Sequence, residues 1–414
     1  LGYVGLPLAI TFTRKGFKVY GIDLDKDRVK MLKASRSYIL DVPSADIKKT
    51  ISQGSFVVTT DFRNVKKSDA IIICVPTPLY KTKEPDVSYI VSAVKNIRKH
   101  MRRGQIVVLE STTYPGTTDE VVLPVLESGG LKEGRDFYLA FSPERIDPGN
   151  AKYNTRNTPK IIGGISKNST QIAKLLYEQA IDTIVPVSTA KVAEMVKLLE
   201  NTFRIVNIGL VNELMLMCDR MDINIWEVID AAKTKPYGFM PFYPGPGVGG
   251  HCIPVDPIYL SWKARMQGFE ARFIDLASQV NSEMPHYVVG KVAEALNYRK
   301  KPIRCSKILL LGASYKKDVK DLRESPALEI IDLLIKKGAL VSYYDPYLPY
   351  LKIGGINLKG VKFGRSAFRD SDCVVIVTDH SGVDYRFVVE NSDLVVDTRN
   401  ILKGIKSKQN IVRI

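Results

Sequence analysis

The chain has 414 residues, enough for two or three domains with cores of their own. Hydrophobic residues make up 45% and charged residues 25%, and no apolar run nears the roughly 18 residues of a membrane span, so the sequence reads as soluble and globular rather than membrane-bound or disordered. The net charge of +16 favours anionic partners, but the lysines are spread along the chain and form no basic tail, which favours phosphate-bearing small molecules over nucleic acid.

The first stretch, "LGYVGLPLAITFTRKGFKVYGIDLD", opens on Gly2 and Gly5, which match the last two glycines of G-x-G-x-x-G. An apolar helix follows, then the strand "KVYGID" ending at Asp23, about 20 residues past the glycines, where a dinucleotide-binding fold places its ribose-binding acid. The apolar strand that should precede the glycines is missing from the sequence, so contacts before Leu1 cannot be assigned. The runs "DAIIICVPTP", "GQIVVLEST", "FYLAFSP" and "PKIIGG" alternate with helical stretches and predict a parallel, doubly wound sheet. "VPTP", "ESTTYPG" and "FSPER" then occupy the carboxyl ends of strands, where such sheets bind ligands.

Residues 188–219 read as one long helix with Ser188 as its N-cap. Glu194, Lys197, Asn201 and Arg204 share one face of it. Apolar residues cover most of the remaining circumference, which predicts a buried helix whose polar stripe meets water or a ligand. "PGPGVGGHCIPVDP" then sets Cys252 after four glycines and before a predicted helix, "DPIYLSWKARM". A helix N-terminus or a nearby Lys favours the thiolate nucleophile. Cys74, Cys218, Cys305 and Cys373 read as packing residues, and five scattered cysteines without a CxxC pair fit a reduced, cytoplasmic protein. The four histidines lack zinc-ligand spacing, so no metal is expected.

A further helix is predicted from Pro285 to Tyr298, followed by a polar linker, "RKKPIRC". A second unit repeats the pattern of the first: "KILLLGASYKKD", a helix, "LVSYYDP", "DSDCVVIVTDH" and "DLVVDTRN". It lacks a full glycine fingerprint and is expected to hold a different nucleotide. The predicted fold class is α/β, with two Rossmann-like doubly wound domains joined by a central helical region, divided as 1–187, 188–300 and 301–414. In "FSPERIDPGN", Glu144 is a candidate base and Arg145 an anion contact; Lys316, Arg323 and Arg399 suit phosphates and carboxylates.

"LGYVGLPLA", "ESTTYPGTT", "FSPERIDPGN", "AEMVKLLENTFR", "PGPGVGGHCIPVDP" and "YKKDVKDLRESPA", in this order, resemble the UDP-glucose/GDP-mannose dehydrogenase family over nearly the whole chain. The resemblance implies oxidation of a UDP-sugar C6 alcohol to the uronic acid with two NAD per turnover. It also implies an N-terminal NAD domain, a central dimerisation region and a C-terminal UDP-sugar domain. Carried onto this sequence, it implies that Cys252 is the nucleophile, that Lys197 and Asn201 stabilise an oxyanion, and that Glu144, Thr112 and Asp256 serve proton transfer and thioester hydrolysis. It implies NAD contacts at Gly2, Tyr3, Val4, Asp23, Arg28, Thr77, Thr112 and Arg323. On the sugar-nucleotide side it implies Glu144, Arg145, Ile146, Lys197, Asn201, Arg204, Tyr243, Gly247, Gly249, Tyr315, Lys316 and Arg399. UDP-N-acetylglucosamine is the expected substrate, ahead of UDP-N-acetylmannosamine and UDP-glucose. A silent nucleotide-sugar-binding protein and a two-electron hydroxyacid dehydrogenase are the alternatives of other classes.

Overall fold

The computed structural model describes residues 1–39, 42–147, 152–250, 252–353, 355–405 and 410–414. His251 and the last three residues of "FSPERIDPGN" therefore lie outside the described residues. The chain divides into two compact units, Leu1–Glu200 with Ile258–Glu270, and Asn201–Pro257 with Ala271–Ile414.

In the first unit, β1 (Val19–Ile22) and β2 (Phe56–Thr59) pair in parallel. A five-stranded sheet has the order β3 (Ala70–Ile73), β4 (Gln105–Leu109), β5 (Phe137–Phe141), β6 (Lys160–Gly164), β7 (Ile184–Pro186). The first three strands of this sheet are parallel, as the Val/Ile runs predict. β6, however, runs antiparallel to β5, with Ala140 opposite Gly164. An apolar run buried on both faces has no alternation to betray its direction, so the parallel reading of "PKIIGG" is corrected here. β7 is again parallel to β6. The Ile258–Glu270 segment joins this unit through Tyr259, which donates to the Thr77 carbonyl, and through Trp262, whose ring lies 5.0 Å from that of Tyr114.

The second unit holds a sheet of order β14 (Ile411–Arg413), β13 (Val395–Asp397), β12 (Cys373–Ile376), β8 (Lys307–Leu311), β9 (Leu340–Tyr344), parallel throughout. A hairpin, β10 (Tyr350–Ile353) and β11 (Ile356–Lys359), stands apart from it. Counted within the unit, this is the doubly wound order 2-1-3-4-5, whose switch point lies between β8 and β12. The sequence reading placed neither the hairpin nor β14.

Three predicted helix features change. The long helix spans Ala190–Arg220, and its cap is Thr189 rather than Ser188, since the Thr189 hydroxyl accepts from Val192 N at 3.2 Å. The helix placed at Pro285 begins at Arg272 and runs through the proline to Tyr298. Proline costs one N–H, but Met284, Val288, Val289, Val292 and Leu296 bury this helix in the core of the unit, and that packing outweighs the missing bond. The long helix is not apolar-in throughout. Glu194, Lys197 and Asn201 are buried together with Leu198, Ile205 and Met215, whereas Val192, Met195, Leu199, Phe203, Leu210 and Met217, continued by Met221 just past the helix, are exposed along one side, and Arg204 is exposed.

Candidate active site

In the first unit the helix Gly5–Arg14 starts where the glycine pattern ends. Gly5 approaches β3 closely; a Cβ there would lie 3.4 Å from that of Cys74, whereas one on Gly2 would meet nothing within 4 Å. The first turn of the helix has no acidic residue and no side-chain cap; Leu6 N is taken by the Gly2 carbonyl at 3.1 Å and Pro7 has no N–H, which leaves the Gly5 N–H to meet an anion such as a pyrophosphate. Tyr3 and Val4 sit in that entry. Asp23 follows β1, accepts from Asp25 N at 2.9 Å and lies 3.7 Å from the Arg28 guanidinium. Uncapped helix start, open glycine and strand-end acid together fit a dinucleotide. Thr77 is buried after β3, and Thr112 is half-buried after β4.

Glu144 follows β5. Its Oε1 accepts from Arg145 N at 2.7 Å and Ile146 N at 2.8 Å, so the carboxylate is fixed by its own turn. The Arg145 guanidinium is held by Glu200 at 2.6 Å and by the Pro159 carbonyl. Lys197 is 9% exposed and has no hydrogen bond or ion pair among the described residues, so its ammonium lies in a largely buried position without a partner. One turn before it, Glu194 plays another part. It accepts from Gly116 N, Thr118 N and the Thr118 hydroxyl at 2.6–2.9 Å and ties the long helix to the loop after β4. Burial pushes its carboxyl up to about 7 against the pull of these donors.

In the second unit the glycine-rich loop leads into the helix Asp256–Met266, which has the bounds read from the sequence. Cys252 is exposed, and its carbonyl accepts from Asp256 N at 2.8 Å, which sets the thiol residue one turn ahead of the helix. Asn201 Nδ2 donates to Asp256 Oδ2 at 2.5 Å. Three predicted site residues thus converge within one unit. The glycines of the loop pack on protein. A Cβ on Gly247 (φ +129°) would stand 3.2 Å from Pro326, and one on Gly249 would stand 2.7 Å from both Tyr315 and the Glu324 carbonyl. Gly245 N is held by Asn212 Oδ1 at 2.9 Å, and Asn212 in turn donates to Asn281 at 2.8 Å. This buried asparagine pair fixes the loop, and the sequence reading missed it because both residues sit inside long helices.

Arg399 follows β13, donates to the Val377 carbonyl at 2.8 Å and crowds Gly245. Tyr315 and Lys316 follow β8 and are half-buried, while Arg323 is paired with Asp321 at 2.6 Å. Tyr243 donates to Asp230 at 3.0 Å and stacks on Trp226, and Arg204 is exposed on the long helix. Asp345, the acid after β9, is the counterpart of Asp23 but is consumed internally. It accepts from Ala313 N, Ser314 N, the Ser314 hydroxyl and His380 at 2.7–3.0 Å. Burial opposes its charge, but these partners hold its carboxyl down to about 2. The acid that meets a ribose in a dinucleotide fold is therefore committed here to the loop after β8.

The glycine-helix entry and strand-end acid fit a dinucleotide, and comparison with known proteins places the chain among NAD-dependent oxidoreductases that act on UDP-sugars. The NAD-binding domain of the UDP-glucose/GDP-mannose dehydrogenase family matches residues 1–181, its central domain residues 191–283 and its UDP-binding domain residues 309–404. The chain belongs to the UDP-glucose/GDP-mannose dehydrogenase family. It is 36% identical over 412 residues to a UDP-N-acetyl-D-mannosamine dehydrogenase of Pyrococcus horikoshii, covering 97% of this chain and 94% of the relative. It is 38% identical over 350 residues to a UDP-N-acetyl-D-glucosamine 6-dehydrogenase of Pseudomonas aeruginosa, covering 84% and 82%. The solved structure of a UDP-D-ManNAc dehydrogenase from Pyrococcus horikoshii superposes with a TM-score of 0.91 at 35% identity, covering 100% of this chain and 97% of that one. Among the described residues no helix is long and apolar enough to cross a membrane, and no group of His, Cys, Asp or Glu could hold a metal.

Proposed function

We propose that the protein oxidises the C6 alcohol of a UDP-N-acetylhexosamine to the uronic acid in two hydride transfers, with Cys252 as covalent nucleophile. The observation that carries this reading is the convergence of Cys252, Asp256 and Asn201 at the start of one helix. Bound NAD supplies the acceptor for each hydride. The first transfer leaves a C6 aldehyde. The Cys252 sulfur adds to that carbon, and the resulting oxyanion is met by the Asn201 amide and the Lys197 ammonium. Loss of the second hydride gives a thioester, which a water attacks with Glu144 as proton acceptor and Thr112 and Asp256 placing the water. Covalent capture keeps the aldehyde from escaping between the two oxidations.

In this reading residues 1–187 bind NAD through Gly2, Tyr3, Val4, Asp23, Arg28, Thr77 and Thr112, with Arg323 from the last segment. Residues 301–414 bind the UDP-sugar through Tyr315, Lys316 and Arg399. Arg145, Ile146, Arg204, Tyr243, Gly247 and Gly249 complete its contacts. Residues 188–300 carry Cys252 and a dimer contact. The exposed apolar stripe from Val192 to Met221 fits a second copy of this chain. Among the sugars, UDP-N-acetylglucosamine comes first. UDP-N-acetylmannosamine is the second reading, favoured by the Pyrococcus relative that covers 97% of the chain. A cytoplasmic setting, where UDP-sugars and NAD meet, completes the assignment.

Initial NADH rates over a panel of UDP-sugars identify the epimer, and two NADH per uronic acid are expected. Cys252→Ser removes steady-state turnover, because a serine hydroxyl without an adjacent base is a poor nucleophile. Intact-mass analysis of that variant with NAD and substrate should show either no adduct or a trapped ester. A Cys252→Ser protein with wild-type kcat and two NADH per product would overturn the covalent mechanism.

A further inference from the structure

Behind Glu144 lies a buried cluster of ionisable groups for which the steps above have no use. The β5–β6 register, with Phe141 opposite Gly163, sets Glu144 opposite Lys160 when continued beyond β5. Lys160 Nζ lies 3.6 Å from Glu144 Oε2 and 3.2 Å from Oε1 of Glu110, the residue that follows β4. Tyr177, on the helix Lys167–Glu178, donates its hydroxyl to Glu110, and its ring lies 5.3 Å from the Lys160 ammonium. Cys74, after β3, faces the same cluster, and its thiol is pushed up by burial and by Glu110, so it stays neutral. Lys160 is 4% exposed and Glu110 1%. Reversal of β6 is what brings a lysine to the carboxyl ends of β4 and β5; in an all-parallel sheet it would sit at the opposite edge.

Two carboxylates share one ammonium here. Glu144 Oε1 has two backbone donors, whereas Glu144 Oε2 is buried with no hydrogen-bond donor among the described residues, and Lys160 is the cation beside it. Burial opposes the charge on Lys160, but Glu110 and Glu144 together hold it above its ordinary value, so the ammonium persists. Glu144 and Lys160 also line a cavity of about 10 Å³, room for one water molecule.

We propose that Lys160 is a positioning residue for Glu144: its ammonium fixes Oε2 by charge, while Glu110 and Tyr177 anchor the ammonium from behind. This rests on the reading of Glu144 as the proton acceptor. Without the ammonium, Oε2 loses the cation beside it, and the carboxylate is no longer fixed for its part in the reaction.

The test compares the wild type with Lys160→Met/Glu110→Gln, which deletes one charge of each sign and leaves the cluster's net charge unchanged. Two readouts are taken: kcat and KM with UDP-sugar and NAD, and the position of the Glu144 carboxylate in crystal structures. The double variant should keep KM within about threefold, lose at least about tenfold in kcat, and show Glu144 Oε2 turned away from its place beside residue 160. Lys160→Arg should keep the wild-type kcat and carboxylate position. Unchanged kcat and carboxylate position in the double variant would reduce Lys160 to packing and overturn the proposal. Should the double variant not fold, a lowered kcat or a displaced carboxylate in Lys160→Arg overturns it, and wild-type values support it. If the wild type makes no NADH from any UDP-sugar, the functional reading fails, while the Glu144 position still decides the role of Lys160.

Discussion

Glu194 offers a test that depends on no substrate. Its carboxyl, ordinarily near 4.5, stands at about 7 in the folded chain because burial outweighs three donors. The folded state therefore holds a proton that the unfolded chain has lost between these values. Stability is greatest below 4.5 and falls as pH rises through about 7. At 1.36 kcal/mol for each unit, the full loss is about 3.4 kcal/mol, of which about 2.5 kcal/mol falls between pH 5 and pH 8. Glu194→Gln removes the titration: its carbonyl still accepts from Thr118, but its NH2 faces the Gly116 N–H donor to donor, a pH-independent cost of about 1–3 kcal/mol. The variant's stability should therefore gain on the wild type's by about 2.5 kcal/mol between pH 5 and pH 8.

The chain's two tryptophans make this measurable. Trp262 belongs to the first unit and packs on Tyr114, beside the loop that Glu194 holds, whereas Trp226 belongs to the second unit. In a shared Trp226→Phe background, urea unfolding followed by Trp262 fluorescence reports on the first unit alone, and equal slopes against urea license the comparison. If the difference in stability between the two proteins is instead the same at both pH values, the three donors keep the carboxylate ionised and the burial argument is wrong.

Lys197→Ala should lower kcat by about 10²–10³, the usual effect of losing one oxyanion donor, with a smaller change in KM; a raised KM alone in steady-state NADH kinetics would make Lys197 a binding residue. Leu210→Glu, in the middle of the exposed apolar stripe, should convert a dimer to a monomer by light scattering, and an unchanged mass would place the contact elsewhere. Asp345→Ala leaves Ala313 N–H and Ser314 N–H without their buried acceptor, and at about 1–3 kcal/mol for each it should cost about 2–6 kcal/mol in urea unfolding followed by Trp226 fluorescence.

Much of this architecture was legible because strong local signals agree with the fold. The glycine–helix–strand–acid order put Gly5 and Asp23 in place, and the helix after Cys252 has the bounds its sequence suggests. Elsewhere the local signal was real but tertiary contacts overrode it. Pro285 reads as a helix start, yet a core face from Met284 to Leu296 carries the helix through it. Ser188 and Thr189 are both capable caps, and one residue of register decides between them. Strand direction leaves no trace in an apolar run such as "KIIGG", so nothing in the sequence pairs Lys160 with Glu144, its buried neighbour at 3.6 Å.

The long helix carries the same lesson into function. Hydrophobicity alone predicts that its apolar residues are inside, but one apolar stripe lies outside while Leu198, Ile205 and Met215 are buried beside the polar groups, and the reason lies in those polar groups. Glu194 satisfies three donors of the loop after β4, and Asn201 holds Asp256 at the turn that presents Cys252. Those bonds need the polar stripe inside, and Lys197 lies largely buried with them, without an ion pair among the described residues. An ammonium so placed can meet a developing negative charge, which is the role proposed for it. The apolar stripe left outside then needs a cover of its own, and in the proposed dimer a second copy of the same helix would supply one of matching character. One helix therefore links the proposed oxyanion site to the proposed dimer contact, and dilution to monomer should lower turnover together with the light-scattering mass.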